Sequence, residues 1–155
     1  MLIAMKPPVT LDALSEMWSK DASIDLTEPA RELVKIPSLH AKYLQILSHH
    51  NLITKKLTAD YNKQKSILFQ YFSGDLNDPE ELEKYGFNEP MRKKILRQDI
   101  PIHLDGDQKL INLMLKKAIH QEIVDYCSAI IKEINNRTFQ INNIIKWEIF
   151  TSGGA

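Results

Sequence analysis

Basic side chains recur at a spacing of seven along one stretch of this 155-residue chain: Lys35, Lys42, His49, Lys56 and Lys63. On an α-helix seven residues are close to two turns, so these positions share one face. From Lys42 to Lys63 the ladder would run for about 31 Å at 1.5 Å per residue. Lys55 and Lys65 stand beside it. Between Arg31 and Phe72 the only acids are Glu32 and Asp60, which leaves a local net charge of +5 in a chain whose 20 basic and 20 acidic residues otherwise cancel. Ordinary solvent-facing helices mix the two signs and pair Glu with Lys at i, i+4. A helix face with almost no acids calls for an anionic neighbour, and nucleic acid is the commonest polyanion. The aromatics Tyr43, Tyr61, Phe69, Tyr71 and Phe72 fall on the same stretch. They could stack bases, although helical core spacing accounts for most of them.

Other chemistry finds little support. Asp105-Gly106-Asp107 has neither the glycines nor the following Lys-Ser/Thr of a phosphate loop. The single cysteine, Cys127, sits on an apolar helical stripe, where an inert buried thiol is expected. His40, His49, His50, His103 and His120 show no metal-ligand spacing. Asp99 and Asp105 suit caps or turns. The expectation is no catalytic residue, no metal and no cofactor.

The elements that must position the ladder are helical, because Gly and Pro are few and strand-like alternation is nearly absent. A short helix is expected from Leu11 to Trp18. A second, capped by Asp25 or Thr27, should reach Lys35. Pro37 should open a long third helix that runs to Phe72 and stops at Gly74. Residues 75 to 90 read as an acidic loop with at most one helical turn. Met91 to Gln98 reads as a short basic helix, and Ile100-Pro101-Ile102 as extended. A second long helix, capped by Asp105 or Asp107, should run from about Gln108 to Asn135. Asn135-Asn136-Arg137-Thr138 should break it before a last helix from Phe139 to Phe150. The class is therefore all-α, with two long helices and short N-terminal, central and C-terminal ones. They form a single domain over 1–155, divided into helices carrying the basic face (11–74), an acidic loop with a basic helix (75–104) and C-terminal helices (105–150).

Two further features bear on partners. Arg92, Lys93, Lys94 and Arg97 form a second candidate anion patch. Its rival reading is neutralisation by the acidic residues just upstream. The last helix is over-apolar for its length, with Ile141, Ile144, Ile145, Trp147, Ile149 and Phe150 close behind Ile134 and Phe139, so subunit contacts compete with core burial as its purpose. The apolar fraction of 43% and charged fraction of 26% are those of an ordinary globular chain. No window is long and apolar enough for a membrane span, and the N-terminus lacks the features of a signal peptide.

Several segments resemble one family in order, spacing and length. They are Ile24-Asp25 after a short amphipathic helix, Pro37-Ser38-Leu39-His40-Ala41-Lys42-Tyr43-Leu44, Tyr71-Phe72-Ser73-Gly74, Leu104-Asp105-Gly106-Asp107, and Tyr126-Cys127-Ser128-Ala129 through Arg137-Thr138-Phe139-Gln140-Ile141 to Phe150. Together these are similar to the UvsY-like recombination mediators of T-even-like bacteriophages, over about Leu11 to Gly153. The resemblance implies a non-enzymatic protein of the infected cell's cytoplasm that binds single-stranded DNA and assembles into a homo-oligomeric ring of six or seven subunits. It also implies two protein partners, the phage recombinase and the phage single-stranded-DNA-binding protein, and a role in loading the first onto DNA covered by the second. Such a protein serves recombination, recombination-dependent replication and repair. DNA contacts are then expected at Lys35, Lys42, His49, Lys55, Lys56, Lys63 and Lys65, with Arg92, Lys93, Lys94 and Arg97 as the second patch. Subunit contacts are expected at Ile134, Phe139, Ile141, Ile144, Ile145, Trp147, Ile149 and Phe150. One departure stands out: the family's type member has closely spaced basic residues just before the aromatic-aromatic-Ser-Gly end, where this chain has Ser66 and Leu68. The alternative is a structural helical oligomer whose basic face pairs with an acidic protein partner and binds no DNA.

Overall fold

The computed structural model describes residues 8–154, and over these the chain is helical without a strand. The five helices are α1 (Leu11–Asp21), α2 (Pro29–Ser73), α3 (Pro79–Tyr85), α4 (Ile100–Asp105) and α5 (Gln108–Thr151). The sequence carries no helical signal over residues 1–10, and the first seven of these lie outside the described residues. Two compact units form, Met1–Leu52 with His120–Ala155, and Ile53–Ile119. Helices α2 and α5 each contribute one part to either unit.

In the first unit α1, the early part of α2 and the late part of α5 enclose one core. Leu14, Tyr43, Ile123, Cys127, Ile130 and Ile134 are buried there, with Trp18, Ile36, Leu39 and Ile46 packed around them. The two long segments run antiparallel, since His50 meets His120 while Pro29 and Arg31 line the same groove as Glu148 and Ile149. Thr10 starts α1 by accepting a hydrogen bond from the Ala13 amide at 3.2 Å.

Two expected breaks are absent here. Pro37 lies inside α2 rather than opening a new helix. An interior proline costs about 3 kcal/mol, but Ile36 and Leu39 pack against the core on either side of it. The Asn135-Asn136-Arg137-Thr138 stretch is continuous helix within α5. Its propensity cost is under about 0.7 kcal/mol per residue. Against that, Ile134, Arg137 and Ile141, at helical spacing, are all buried. Arg137 also donates to the Asp21 carbonyl and lies 5.6 Å from the Trp18 ring centroid.

In the second unit Leu68, Ile100, Leu104 and Leu110 are buried together, with Tyr61, Phe72, Phe87 and Ile95 against them. Gly74 ends α2 with φ +77°. Its amide donates to the Tyr71 carbonyl at 3.1 Å and the Asp75 amide donates to the Gln70 carbonyl at 2.9 Å, the paired bonds of a left-handed helix stop. The acidic segment holds more helix than expected: Asp78 caps α3, with Pro79 at its start and Glu80 and Glu81 in its first turn, where the helix dipole favours negative charge. Residues 100–105 are helical, not extended. Pro101 falls in the first turn, where no amide is missed, and Ile100 and Leu104, four apart, bury one side. Residues 91–98 form no helix. Ile95 packs against the second core, and its amide donates to the Phe72 carbonyl at 3.1 Å, so docking on the end of α2 replaces helical pairing. Asp107, not Asp105, caps α5, accepting from the Leu110 amide at 2.9 Å.

Candidate nucleic-acid interface

The ladder differs in character along its length. Within the first unit its lysines are already matched by acids. Lys35 pairs with the buried Glu32 at 2.6 Å. Lys42 pairs with Asp21 of α1 at 2.5 Å, and the Tyr43 hydroxyl donates to the same carboxylate oxygen at 2.8 Å. Burial raises the Asp21 carboxyl, but the hydrogen bonds from Lys42 and Tyr43 and the charges of Lys42 and Arg137 outweigh it and hold the group below its ordinary value. The same burial and carboxylate push the Tyr43 phenol up. This cluster ties α1 to both long helices, which gives Lys42 a structural task.

His49 is half-buried, edge-on to His50 with ring centroids 5.6 Å apart. His50 is fully buried, and its Nδ1 lies 2.9 Å from Nδ1 of His120. One of the two must donate and the other accept, so the pair holds at most one proton between those atoms. Burial lowers the basicity of both rings, helped at His50 by His120 and His49 and at His120 by His49. The His50 and His120 rings are therefore uncharged near neutrality and add nothing to a cationic track.

Within the second unit the picture reverses. Lys55, Lys56, Lys63 and Lys65 are exposed, and no carboxylate of the described residues comes within ion-pair distance of them. Ala59, Asn62, Ser66, Phe69 and Gln70 complete this exposed face of α2. At about 100° per residue, Lys55, Asn62, Ser66 and Phe69 fall in one line, with Lys56 and Lys63 to one side and Lys65 to the other.

The second patch is split. Arg92 binds Glu89 at 2.9 Å, as the neutralisation reading expects. Lys93, Lys94 and Arg97 are exposed and make no ion pair among the described residues. The Lys94 stem crosses Gly74 so closely that an added Cβ would stand 2.8 Å from its Cε. This brings a cation to the end of α2, whose own last turn has none, where the helix dipole is negative. The acidic residues nearby have local work: Asp78 caps α3 and Asp75 accepts from the Ser73 hydroxyl at 2.9 Å.

Four of the five aromatics are occupied. Tyr43 is fully buried, Tyr61 and Phe72 pack on the second core, and Tyr71 stacks on Phe87 at 3.9 Å and 7°. Phe69 remains 39% exposed.

The candidate subunit contacts also divide. Ile134 and Ile141 are completely buried within the chain, so they have no surface left for a second copy. Ile144 and Ile145 are half-buried. Phe139, Trp147, Ile149 and Phe150 are open, at 77%, 66%, 54% and 76% exposure. Sequence reasoning also missed an apolar strip. Met114, Leu115 and Ile119 are apolar positions of the early part of α5, and all three are more than half exposed. Apolar residues occupy several sides of α5, and periodicity alone does not say which side a neighbour covers.

Cys127 is buried and its thiol pushed up to about 11, which removes it as a nucleophile. Among the described residues no three His, Cys, Asp or Glu side chains gather as a metal would require, and no helix is long and apolar enough to cross a membrane.

Comparison with known proteins places this arrangement. Three crystal structures of the bacteriophage T4 recombination mediator protein UvsY share the fold. One, in lattice type II, has a TM-score of 0.78 at 21% identity, covering 92% of this chain and 97% of that one. Another, in lattice type I, has a TM-score of 0.77 at 20% identity, covering 89% and 98%. No curated protein sequence matches. The family model described as "recombination, repair and ssDNA binding protein UvsY" matches residues 17–154. The chain thus belongs to the UvsY family of recombination, repair and single-stranded-DNA-binding proteins.

Proposed function

We propose that this protein is a non-enzymatic recombination mediator that binds single-stranded DNA through the exposed lysines of α2. The observation that carries this reading is the contrast on one helix. Lys35 and Lys42 have acidic partners, whereas Lys55, Lys56, Lys63 and Lys65 have none among the described residues. Lys55, Lys56 and Lys63 crowd one side of this stretch of α2 and Lys65 flanks the other, like charges held at a cost that a phosphate backbone relieves. Backbone contact carries little sequence information, as suits a mediator that must act on any strand. Lys93, Lys94 and Arg97 extend the cationic surface at the end of α2.

Phe139, Trp147, Ile149 and Phe150 are the subunit contact in this reading, and a closed ring repeats the lysine face around it. Repetition converts weak contacts into tight binding, because each later contact is effectively intramolecular. A strand held this way is released from the phage single-stranded-DNA-binding protein and presented to the phage recombinase in the infected cell. The test is titration of labelled oligo-dT at two salt concentrations, with light scattering on the same sample. Salt-sensitive binding by an oligomer is expected. An oligomer without affinity for oligonucleotides would instead support the structural alternative.

A further inference from the structure

The lysines account for affinity toward a phosphate chain, but a strong preference for single strands needs something that meets unpaired bases. The face between the two flanks of lysines has one feature suited to that. Asn62, Lys65, Ser66, Phe69 and Gln70 of α2, with Asp75 and Leu104, line an open hollow of about 510 Å³. Phe69 stands in it with 39% of its surface exposed and no other aromatic ring paired with it among the described residues. The other aromatics of this helix are buried or half-buried: Tyr43 in the first core, Tyr61 and Phe72 against the second, and Tyr71 stacked on Phe87. The open part of Phe69 is an apolar surface on a helix face otherwise lined by Lys, Asn, Ser and Gln.

We infer that Phe69 is a base-stacking platform, and that the hollow beside it takes one unpaired nucleobase of a bound single strand. Lys65, one turn earlier on α2, meets the flanking phosphate. The amides of Asn62 and Gln70 each offer both a donor and an acceptor, so any base edge finds a partner and no sequence is selected. Asp75, already accepting from Ser73, keeps the phosphate toward the Lys65 side and leaves the far end to the base. A duplex has no base free to enter, so the platform discriminates single from double strands, which the lysines alone do weakly. This inference rests on the proposed DNA-binding reading and adds the chemistry of its specificity.

Base–aromatic stacking contributes about 1–3 kcal/mol per base, or roughly five- to 150-fold in affinity. The experiment compares oligo-dT with an abasic strand of equal length and charge, bound by native protein, Phe69→Ala and Phe69→Trp, at several salt concentrations. Native protein is expected to prefer oligo-dT by at least about fivefold. Phe69→Ala should bind both strands equally with its salt slope intact. Phe69→Trp should keep the preference, and its added fluorescence should be quenched by oligo-dT but not by the abasic strand. Equal native affinity for the two strands, or added fluorescence in Phe69→Trp that oligo-dT leaves unquenched, overturns the platform while leaving the DNA-binding reading standing. Failure of native protein to bind either strand overturns both. If Phe69→Ala does not fold, the native comparison and the Phe69→Trp signal decide alone.

Discussion

Replacing Lys56 and Lys63 together by Gln is expected to flatten the salt slope of single-strand binding by about 1.4, whereas replacing Lys35 and Lys42 together leaves it nearly unchanged. Binding a phosphate releases condensed counterions, and for single strands log K falls against log salt by about 0.7 per phosphate neutralised. Lys55, Lys56, Lys63 and Lys65 are exposed and unpaired among the described residues, so four contacts correspond to a slope of about −2.8 per protomer. Two contacts correspond to about −1.4. Between 50 and 200 mM salt, affinity should then fall about fifty-fold for the native protein and about sevenfold for the variant. Lys35 and Lys42 already face Glu32 and Asp21, so a phosphate gains little from them. Lys42→Gln should instead lower thermal stability by about 1 kcal/mol, because it withdraws the charged donor from a half-exposed pair with Asp21. Fluorescence anisotropy with labelled oligo-dT at four salt concentrations, alongside thermal melts, reads both quantities. Contacts from Lys93, Lys94 or Arg97 would add the same increment to every variant. An unaltered slope after Lys56 and Lys63 are replaced, or a flatter one after Lys35 and Lys42, would refute the division of the ladder.

Four other outcomes are expected. Trp147→Ser with Phe150→Ser should reduce the oligomer in light scattering while leaving the helical signal intact, since both rings are open within the chain. Ile141→Ala should instead cost about 2–5 kcal/mol in urea unfolding, because that side chain is fully buried. Gly74→Ala should destabilise by about 1–2 kcal/mol for its left-handed backbone, and more if the Lys94 stem resists displacement. Acidification should weaken the first unit. The folded pKa values of His50 and His120 lie below 6.5 and the unfolded chain therefore takes up protons first, so stability is full above about pH 6.5 and is lost as pH falls toward the folded values. Urea midpoints from pH 7.5 to 5 should show this slope, and a His50→Leu, His120→Leu protein should flatten it.

Much of this protein is legible in the order of its amino acids. The period of its apolar residues and the scarcity of Gly and Pro specify an all-α chain with two long helices. Gly74 marks the end of the first because only a residue free of Cβ readily takes its positive φ. The seven-residue spacing puts basic side chains on one face, and the order of short segments points to the family. Local signals fail where tertiary packing outweighs them. Pro37 and Asn135-Asn136-Arg137-Thr138 look like breaks, but burial of Ile36, Leu39, Ile134 and Ile141 stabilises the continuous helices more than those residues disfavour them. Pro101 opens a helix instead of preventing one because Ile100 and Leu104 have a core to enter.

Which members of the ladder are free is settled by the folded chain alone. Lys42 and Lys56 are equivalent in spacing and in type. One meets a carboxylate of α1 and the other meets none among the described residues. The aromatics divide the same way: Tyr71 is covered by Phe87 and Phe69 is left open. Periodicity records which face a side chain is on. Whether that face is occupied depends on contacts between residues far apart in the chain, and these exist only once it has folded.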